Sequence, residues 1–475
     1  MTPIDIIILA AGLGTRMKSS LPKALHRLAG RPMLGYVLDA AAAAGARRCV
    51  LVTGHGAAEV EAYAQDWARA DGQNHAQPEL LAVRQQPQLG TGHAAQQAAP
   101  LLPDDGIMLI LNGDVPLVQP ETLARLIALC EGAHLALLTV DTGQDAGAYG
   151  RIVRAAAAGA DAPVRAIAEA RDAAPAELAI TEWYSGIMAA PTRLLKKYLA
   201  LLTNNNAQRE FYLTDVVRHA ALDSAQVRAL RIADVAQVAG VNSPAQLAEL
   251  ERQVQRRHAL RLMEDGVRLA DPARFDLRGD LRCGQDVEID IGCVFEGNVS
   301  LADGVRVGAH CVIAHARIEA GAVIHPFTHI DGGEQGVAVG PGARVGPYAR
   351  LRPGAQLGAD VHIGNFVEVK NSTLAPGAKA NHLAYLGDAE VGARVNYGAG
   401  SITANYDGAN KHRTVIEADV HVGSNCVLVA PLTVGAGGTV AAGSTLTQSA
   451  PPGALTVARA RQKSYPGWRR PSKQD

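Results

Sequence analysis

The chain has 475 residues, a hydrophobic fraction of 48%, a charged fraction of 19% and a formal net charge of -1. This length exceeds one ordinary core and this composition excludes a disordered chain, so two globular domains are expected. The near-neutral balance supplies no global basic field for nucleic acid or an anionic membrane, and 49 glycines against 4% aromatic residues suit a tightly turned, repetitive architecture.

The first apolar run, Ile6-Ile7-Ile8-Leu9, is short, follows no basic segment and ends at Gly12, as a buried strand does and a signal peptide does not. Val50-Leu51-Val52 and Ile107 to Leu111 read as further buried parallel strands, with Leu38 to Ala46 and Leu123 to Cys130 as crossover helices. The pattern predicts a doubly wound α/β domain over residues 1–243. Residues 244–265, polar with recurrent Leu, predict a linker helix capped by Ser243 and stopped by Gly266. No apolar stretch is long enough to span a bilayer. The cysteines (Cys49, Cys130, Cys283, Cys293, Cys311, Cys426) form no CxxC pair or zinc spacing, and read as reduced, mostly buried thiols of a cytoplasmic protein.

The second domain, residues 266–475, has a different grammar. Aliphatic residues recur every six positions at Val339, Val345, Leu351, Leu357, Ile363 and Val369, and again at Val422, Leu428, Val434, Val440 and Leu446. Leu301, Val307, Ile313 and then Ile318, Ile324, Ile330 extend the series toward the N-terminus. A six-residue period fits neither a helix nor one strand; three hexads make one coil of a triangular parallel β-helix. The series breaks between Val369 and Val422, where the polar run Thr403 to Arg413 is expected to loop out of the wall.

Two N-terminal features carry candidate chemistry. Leu9-Ala10-Ala11-Gly12-Leu13-Gly14-Thr15-Arg16-Met17 is a Gly-x-Gly turn after a strand, with Arg16 and Lys23 beyond it. The turn lacks the third glycine of a dinucleotide fingerprint, and is either a phosphate cradle with two neutralising cations or a glycine turn with two solvated ones. Asn112-Gly113-Asp114 ends a strand at the ligand edge of such sheets, so Asp114 is either a magnesium-holding carboxylate or a simple Asp turn.

In the second domain, His382 is a candidate base because imidazole titrates near neutrality. Arg352 and Lys370 lie 18 positions apart, one coil of a β-helix, and so predict a stacked cationic pair. Such a pair suits a sugar phosphate or forms a solvated basic ladder.

Taken in order, Leu9 to Met17, Pro22-Lys23, Gln88-Leu89-Gly90-Thr91-Gly92-His93-Ala94, Asn112-Gly113-Asp114, Tyr149-Gly150-Arg151-Ile152 and Gly240-Val241-Asn242 resemble the sugar-phosphate nucleotidyltransferases. The run Leu202 to Asp215 narrows the resemblance to the bacterial bifunctional N-acetylglucosamine-1-phosphate uridyltransferases/glucosamine-1-phosphate N-acetyltransferases, and covers essentially the whole chain. The resemblance implies that glucosamine 1-phosphate is acetylated by acetyl-CoA, and that the N-acetylglucosamine 1-phosphate formed reacts with UTP to give UDP-N-acetylglucosamine. It implies a left-handed parallel β-helix, a homotrimer with shared active sites, and no nucleic-acid or membrane partner.

Carried over by residue, it implies that Leu9, Ala10, Ala11, Gly12, Gln85, Gly90 and Thr91 hold the uridine, and that Arg16 and Lys23 stabilise phosphates. Asp114 and Asn242 would bind Mg²⁺, and Gly150 and Glu169 the sugar. Within the same UDP-N-acetylglucosamine site, beside Gly113, Asn112 stands where some members have Tyr, and Tyr184 where Asn is usual. His382 would be the acetyltransferase base, with Arg352, Lys370, Tyr385 and Asn396 on the sugar phosphate. Ala399, Asn405, Tyr406, Ser424, Ala442 and Arg459 would line the acetyl-CoA site, and Glu368 is expected to orient His382. Two other readings stay open on the residues alone: a nucleotidyltransferase whose β-helix only mediates assembly, and an inactive regulatory subunit.

Overall fold

The computed structural model describes residues 2–69, 77–130, 134–155, 162–471 and 473. The chain divides into two compact units, residues 1–253 and 254–475. The division falls inside the helix Pro244–Glu264. Gln246 N–H donates to Ser243 Oγ at 3.3 Å at its start, and Gly266, with φ +95°, ends it. Among the described residues no helix is long and apolar enough to cross a membrane.

The first unit is built on a mixed sheet whose central path runs, in spatial order, Val227–Ile232, Leu135–Asp141, Glu182–Pro191, Ile107–Asn112, Ile4–Leu9, Arg48–Thr53 and Glu79–Arg84. Alternation of side chains to two covered faces explains why the central strands Ile4–Leu9 and Ile107–Asn112 are almost wholly apolar. Ile6, Ile8, Leu51, Leu109 and Leu111 pack on one face with Leu34, Val37 and Leu38. Ile7, Val50, Val52, Met108 and Ile110 pack on the other with Ala94, Ala95 and Ala98. The expected strands pair in parallel, Leu9 opposite both Val52 and Asn112. Glu182–Pro191 is the exception: it runs antiparallel to both of its neighbours on that path, which the sequence pattern did not signal.

Two helix boundaries differ from expectation. The helix anticipated over Leu38 to Ala46 is Met33–Ala43, because Pro32 sets its entry and Gly45, at φ +77°, terminates it. The helix anticipated over Leu123 to Cys130 is Pro120–Ala128, entered through a proline whose missing N–H costs nothing in a first turn.

The second unit is a parallel β-solenoid. One coil contributes the short strands Arg344–Val345, Arg350–Leu351 and Gln356–Leu357. The next contributes His362–Asn365, Glu368–Lys370 and Thr373–Leu374. They stack in register: Arg344 on His362, Arg350 on Glu368, Gln356 on Thr373. Val345, Leu351, Leu357, Ile363 and Val369 point inward and are buried, filling the axis with one aliphatic side chain per wall.

The expected break between Val369 and Val422 is mostly not a break. Leu374, Ala380, Leu386, Val391, Tyr397 and Thr403 continue the buried series with two five-residue steps, and Ala, Tyr and Thr replace aliphatic residues there. Thr403 can face inward because its hydroxyl donates to Gly387 O at 3.0 Å. Only the stretch after Ala404 leaves the wall, folding back on itself through a bridge between Tyr406 and Lys411 before Thr414–Ile416 resumes the coil.

Close stacking leaves no room at Gly364, where a β-carbon would lie 1.8 Å from Asn381 O on the neighbouring coil. Gly364→Ala is therefore expected to destabilise the solenoid by about 1–3 kcal/mol, the cost of overpacking. Calorimetry would read this as a lowered melting temperature.

Candidate active sites

The ligand edge of the first unit holds two adjoining chambers. The larger, 370 Å³, is lined by Leu9, Ala10, Ala11, Gly12, Lys23, Gln85, Gln88, Gly90, Thr91, Asn112, Gly113 and Asp114, among others. The smaller, 280 Å³, shares Leu9, Thr91, Asn112 and Asp114 with it and adds Tyr149, Gly150, Glu169, Tyr184, Thr214 and Asn242. Motifs far apart in sequence thus meet because parallel strands end at one edge. Gly90 has φ +99°, and a β-carbon there would lie 2.8 Å from Phe211 O, so only glycine lets the Gln88-to-Ala94 motif dock on the Leu202-to-Asp215 run. Phe211 N–H donates to Leu89 O at 2.8 Å, and Leu213 N–H to Thr91 Oγ1 at 3.2 Å.

At the shared wall, Lys23 Nζ donates to Asp114 Oδ2 and, at 2.7 Å, to Asn242 Oδ1. A carboxylate and an amide oxygen therefore converge on one cation. Two hard oxygen donors suit Mg²⁺, which keeps waters and substrate phosphates in its remaining positions. Arg16 lies exposed on the turn Thr15–Met17, outside both linings. Gln85 donates to Gly90 O at 2.9 Å and Gln88 to Ala11 O at 2.5 Å, bracing the loop walls; Gln88 is a motif residue for which the sequence suggested no role. Asn112 Nδ2 donates to Gly186 O at 3.3 Å. Arg151 is buried and structural: it donates to Gly147 O at 2.6 Å, to Tyr149 O at 2.5 Å, and pairs with Asp145.

In the smaller chamber, Thr214 Oγ1 donates to Glu169 Oε1 at 2.8 Å. Burial nevertheless lifts the Glu169 carboxyl above the usual range. Tyr184 is buried at 6% exposure.

On the solenoid, coil register gathers the second set of residues. Asn365 stacks on His382, and the same offset places Ala399 one coil further on. Asn425 N–H donates to Ala399 O at 2.8 Å, Gly443 N–H to Ser424 O at 2.8 Å, and Arg459 Nη1 to Ala442 O at 2.6 Å. Five of the expected residues, His382, Ala399, Ser424, Ala442 and Arg459, thus descend one corner. Asn396, exposed, lies on the adjoining wall, in register with Lys379 and His421. Arg352 and Lys370 stack on another wall, with Arg352 N–H donating to Val369 O at 2.9 Å and Tyr385 in register with Glu368. Asn405 Nδ2 donates to the buried Asp388, fixing the root of the hairpin that carries Tyr406.

One expectation is corrected. The Glu368 carboxylate does not orient His382; it pairs with Arg352 at 2.8 Å and Arg350 at 3.5 Å. The partner of His382 Nδ1 is Asn365 Oδ1 at 2.8 Å. An amide oxygen can only accept, so in this pairing Nδ1 carries the proton and donates it, and Nε2 is left with the free lone pair. Coil spacing carried that signal, since Asn365 precedes His382 by one coil. A second missed residue is Lys411. Its amine, and then burial, hold the Lys370 ammonium below the usual lysine range.

Lys370 must be charged to hold a phosphate, a state present below its pKa and lost as pH rises through it. Lys411→Met should therefore move the alkaline limb of kcat/KM for a sugar phosphate to higher pH. A pH–rate profile in which that limb stays put would remove the coupling.

Comparison with known proteins places these sites in a family. Residues 6–219 match the MobA-like NTP transferase domain. The bifunctional protein GlmU of Polaromonas sp. (strain JS666) is 66% identical over 475 residues, covering 99% of each chain. That of Polaromonas naphthalenivorans is 68% identical over 471 residues, covering 99% of this chain and 98% of its own. That of Azoarcus sp. (strain BH72) is 55% identical over 473 residues, covering 99% of this chain and all of its own. With such identity maintained through both units, the chain belongs to the bifunctional GlmU family.

Proposed function

We propose that each unit performs one transfer, and that the observation carrying this reading is the presence on one chain of a two-chambered cleft with converging Lys23, Asp114 and Asn242 and a separate His382–Asn365 column beside stacked cations. The chain is a transferase twice over: it acetylates glucosamine 1-phosphate with acetyl-CoA and then transfers UMP from UTP to the product, giving UDP-N-acetylglucosamine and pyrophosphate.

In the acetyl transfer, Nε2 of His382 takes the proton from the sugar amine as its nitrogen attacks the thioester carbonyl. The amide bond forms, the C–S bond breaks and coenzyme A leaves as the thiolate. Asn365 holds the imidazole in the tautomer that makes Nε2 the base. Arg352, Lys370, Tyr385 and Asn396 bind the sugar phosphate, and Ala399, Asn405, Tyr406, Ser424, Ala442 and Arg459 bind acetyl-CoA.

In the uridylyl transfer, the larger chamber takes UTP along Leu9 to Gly12, Gln85, Gly90 and Thr91. The smaller takes the sugar against Asn112, Gly150, Glu169 and Tyr184. A phosphate oxygen of N-acetylglucosamine 1-phosphate attacks the α-phosphorus in line, and the bond to pyrophosphate breaks. Lys23 and Arg16 neutralise phosphate charge in a step that rests on positioning and electrostatics. Asp114 and Asn242 would hold Mg²⁺, which when bound supplies further charge neutralisation at the phosphates.

The family pattern and an exposed ladder of rings support a homotrimer. His310, Phe327, Tyr348 and Phe366 stack at centroid distances of 5.2, 5.0 and 5.6 Å along one edge, with exposed Leu383 following. Light scattering is expected to give three times the 49.6 kDa chain mass. The substrates and the unpaired thiols fit a cytoplasmic enzyme.

The direct test is one incubation with glucosamine 1-phosphate, acetyl-CoA, UTP and Mg²⁺, followed by mass spectrometry. UDP-N-acetylglucosamine and free coenzyme A are the expected products. Chelation with EDTA should stop nucleotide-sugar formation by more than about 100-fold while acetylated sugar phosphate still accumulates. Folded protein giving neither product would overturn the assignment.

A further inference from the structure

Between the stacked cations of the solenoid and the hairpin that leaves its wall lies one buried charge, Asp388. Asp286, Asp360 and Asp419 share its left-handed backbone conformation at other corners, and all three are exposed. Asp388, at φ +50°, is 6% exposed. Aspartate tolerates that conformation, but so does asparagine. One coil earlier Asn371 fills the equivalent corner at φ +44° without a charge. Conformation therefore does not call for a carboxylate here, and a buried carboxylate is costly unless other groups compensate it.

Its two oxygens are held from the coils on either side. Asn371 Nδ2 donates to Oδ1, and Asn405 Nδ2 donates to Oδ2. Both oxygens thus accept, as a carboxylate does without a proton of its own. The backbone is tied as well: Asp388 N–H donates to Lys370 O at 3.1 Å, and Thr414 N–H to Asp388 O at 3.3 Å. Asn405 is where the chain leaves the wall and Thr414 where it returns, so Asp388 grips both feet of the hairpin. Within the hairpin, His412 N–H donates to Asn405 O at 2.8 Å, and Tyr406 bridges to Lys411. The placement of Lys411 therefore descends from Asp388.

The charges around Lys370 show what the carboxylate answers. Lys411 on the hairpin and Arg352 on the preceding coil both disfavour the Lys370 ammonium, and Asp388 favours it. Glu368, two residues before Lys370 on the same strand, is taken up by Arg352 and Arg350. Glu390, beyond Asp388, is taken up by Arg413. Tyr385 is a further titratable neighbour, in register with Glu368. Of these anions, Asp388 is the one not already paired with an arginine, and it is left to offset the Lys370–Lys411 pair.

We propose that Asp388 is a positioning residue of the acetyltransferase site: its buried carboxylate roots the hairpin that carries Tyr406 and Lys411, and supplies the negative charge against which Lys370 and Lys411 stand side by side as ammonium groups. The inference rests on the assignment of Lys370 to the sugar phosphate. Asp388 touches no substrate in this arrangement and acts through Lys370 and Asn405. With the carboxylate neutralised, Lys370 gives up its proton at lower pH, and the phosphate-binding state is lost earlier as pH rises.

The experiment measures kcat/KM for glucosamine 1-phosphate against pH, at saturating acetyl-CoA, for full-length wild type, Asp388→Asn, Asn371→Ala, Lys411→Met and the Asp388→Asn/Lys411→Met double variant. Asp388→Asn keeps the shape of the side chain, and a flip of one neighbouring amide restores both hydrogen bonds. Its alkaline limb should move to lower pH, so that kcat/KM at a pH on the wild-type limb falls about 3-fold or more while KM for acetyl-CoA changes less. Asn371→Ala removes a clamp and leaves the charge, so its melting temperature should fall with the limb unmoved. Adding Lys411→Met to Asp388→Asn should return the limb toward wild type, a rescue that a purely structural role does not give. The same comparison on the Lys411→Met background, where Asp388→Asn should again move the limb to lower pH, frees the test from the folding of the single variant. A limb that Asp388→Asn leaves in place, or that Asn371→Ala moves as far, overturns the proposal. Wild type that acetylates no glucosamine 1-phosphate would instead overturn the site assignment beneath it.

Discussion

In a parallel solenoid every strand takes its hydrogen bonds from the coils before and after it, so the neighbours of a wall residue are fixed by coil length rather than by local sequence. Arg344 meets His362, and His362 meets Lys379, because those coils are 18 and 17 residues long. Corner and wall positions therefore become columns. The candidate base, its orienting amide and most of the coenzyme-A candidates fall in one column, and the stacked cations Arg352 and Lys370 in another. Nothing in the local chain makes His382 special; the stacking of Asn365 above it and Ala399 below it does. The parallel core of the first unit imposes the same logic at its strand ends, where Leu9 and Asn112 are paired and their following loops form one edge.

Both candidate sites carry cations suited to phosphate, and they keep them in different ways. In the first unit Lys23 rests against Asp114 and Asn242, so its charge is compensated before any phosphate arrives. On the solenoid, Arg352 is compensated by Glu368, while Lys370 faces Lys411 and is offset by the charge of the buried Asp388. Two ammonium groups side by side are unfavourable, and a bound phosphate relieves that repulsion as well as adding its own attraction. Lys411 sits on the Tyr406-to-Lys411 hairpin, so the segment that leaves the wall also carries the charge that tunes Lys370.

Much of this architecture is legible in the residues. The six-residue period of Val339 to Val369 specifies a parallel β-helix because no helix or flat strand can bury side chains at that interval. The apolar strands of the first unit announce burial on both faces, and the Ser243 and Gly266 signals bound the helix Pro244–Glu264 because capping is local chemistry. The stacking of Arg352 on Lys370 followed from an 18-residue offset. The family pattern implied candidate residues for both sites.

Other features depended on contacts that no local rule encodes. The coils between Val369 and Val422 escaped notice because five-residue steps and inward Ala380, Tyr397 and Thr403 erase the aliphatic period, although their burial preserves the wall. The pairing of Glu368 with Arg352 and Arg350, rather than with His382, was decided by competition among charges that only the folded walls bring together. The antiparallel course of Glu182–Pro191, and the bulge between Tyr184 and Met188, were likewise set by strand pairing at long range. Sequence determined the period, the caps and the chemical inventory, because these depend on residues a few positions apart. Tertiary structure alone decided which partner each charged or polar side chain took, because that depends on groups brought within hydrogen-bonding reach from coils and strands far away in the chain.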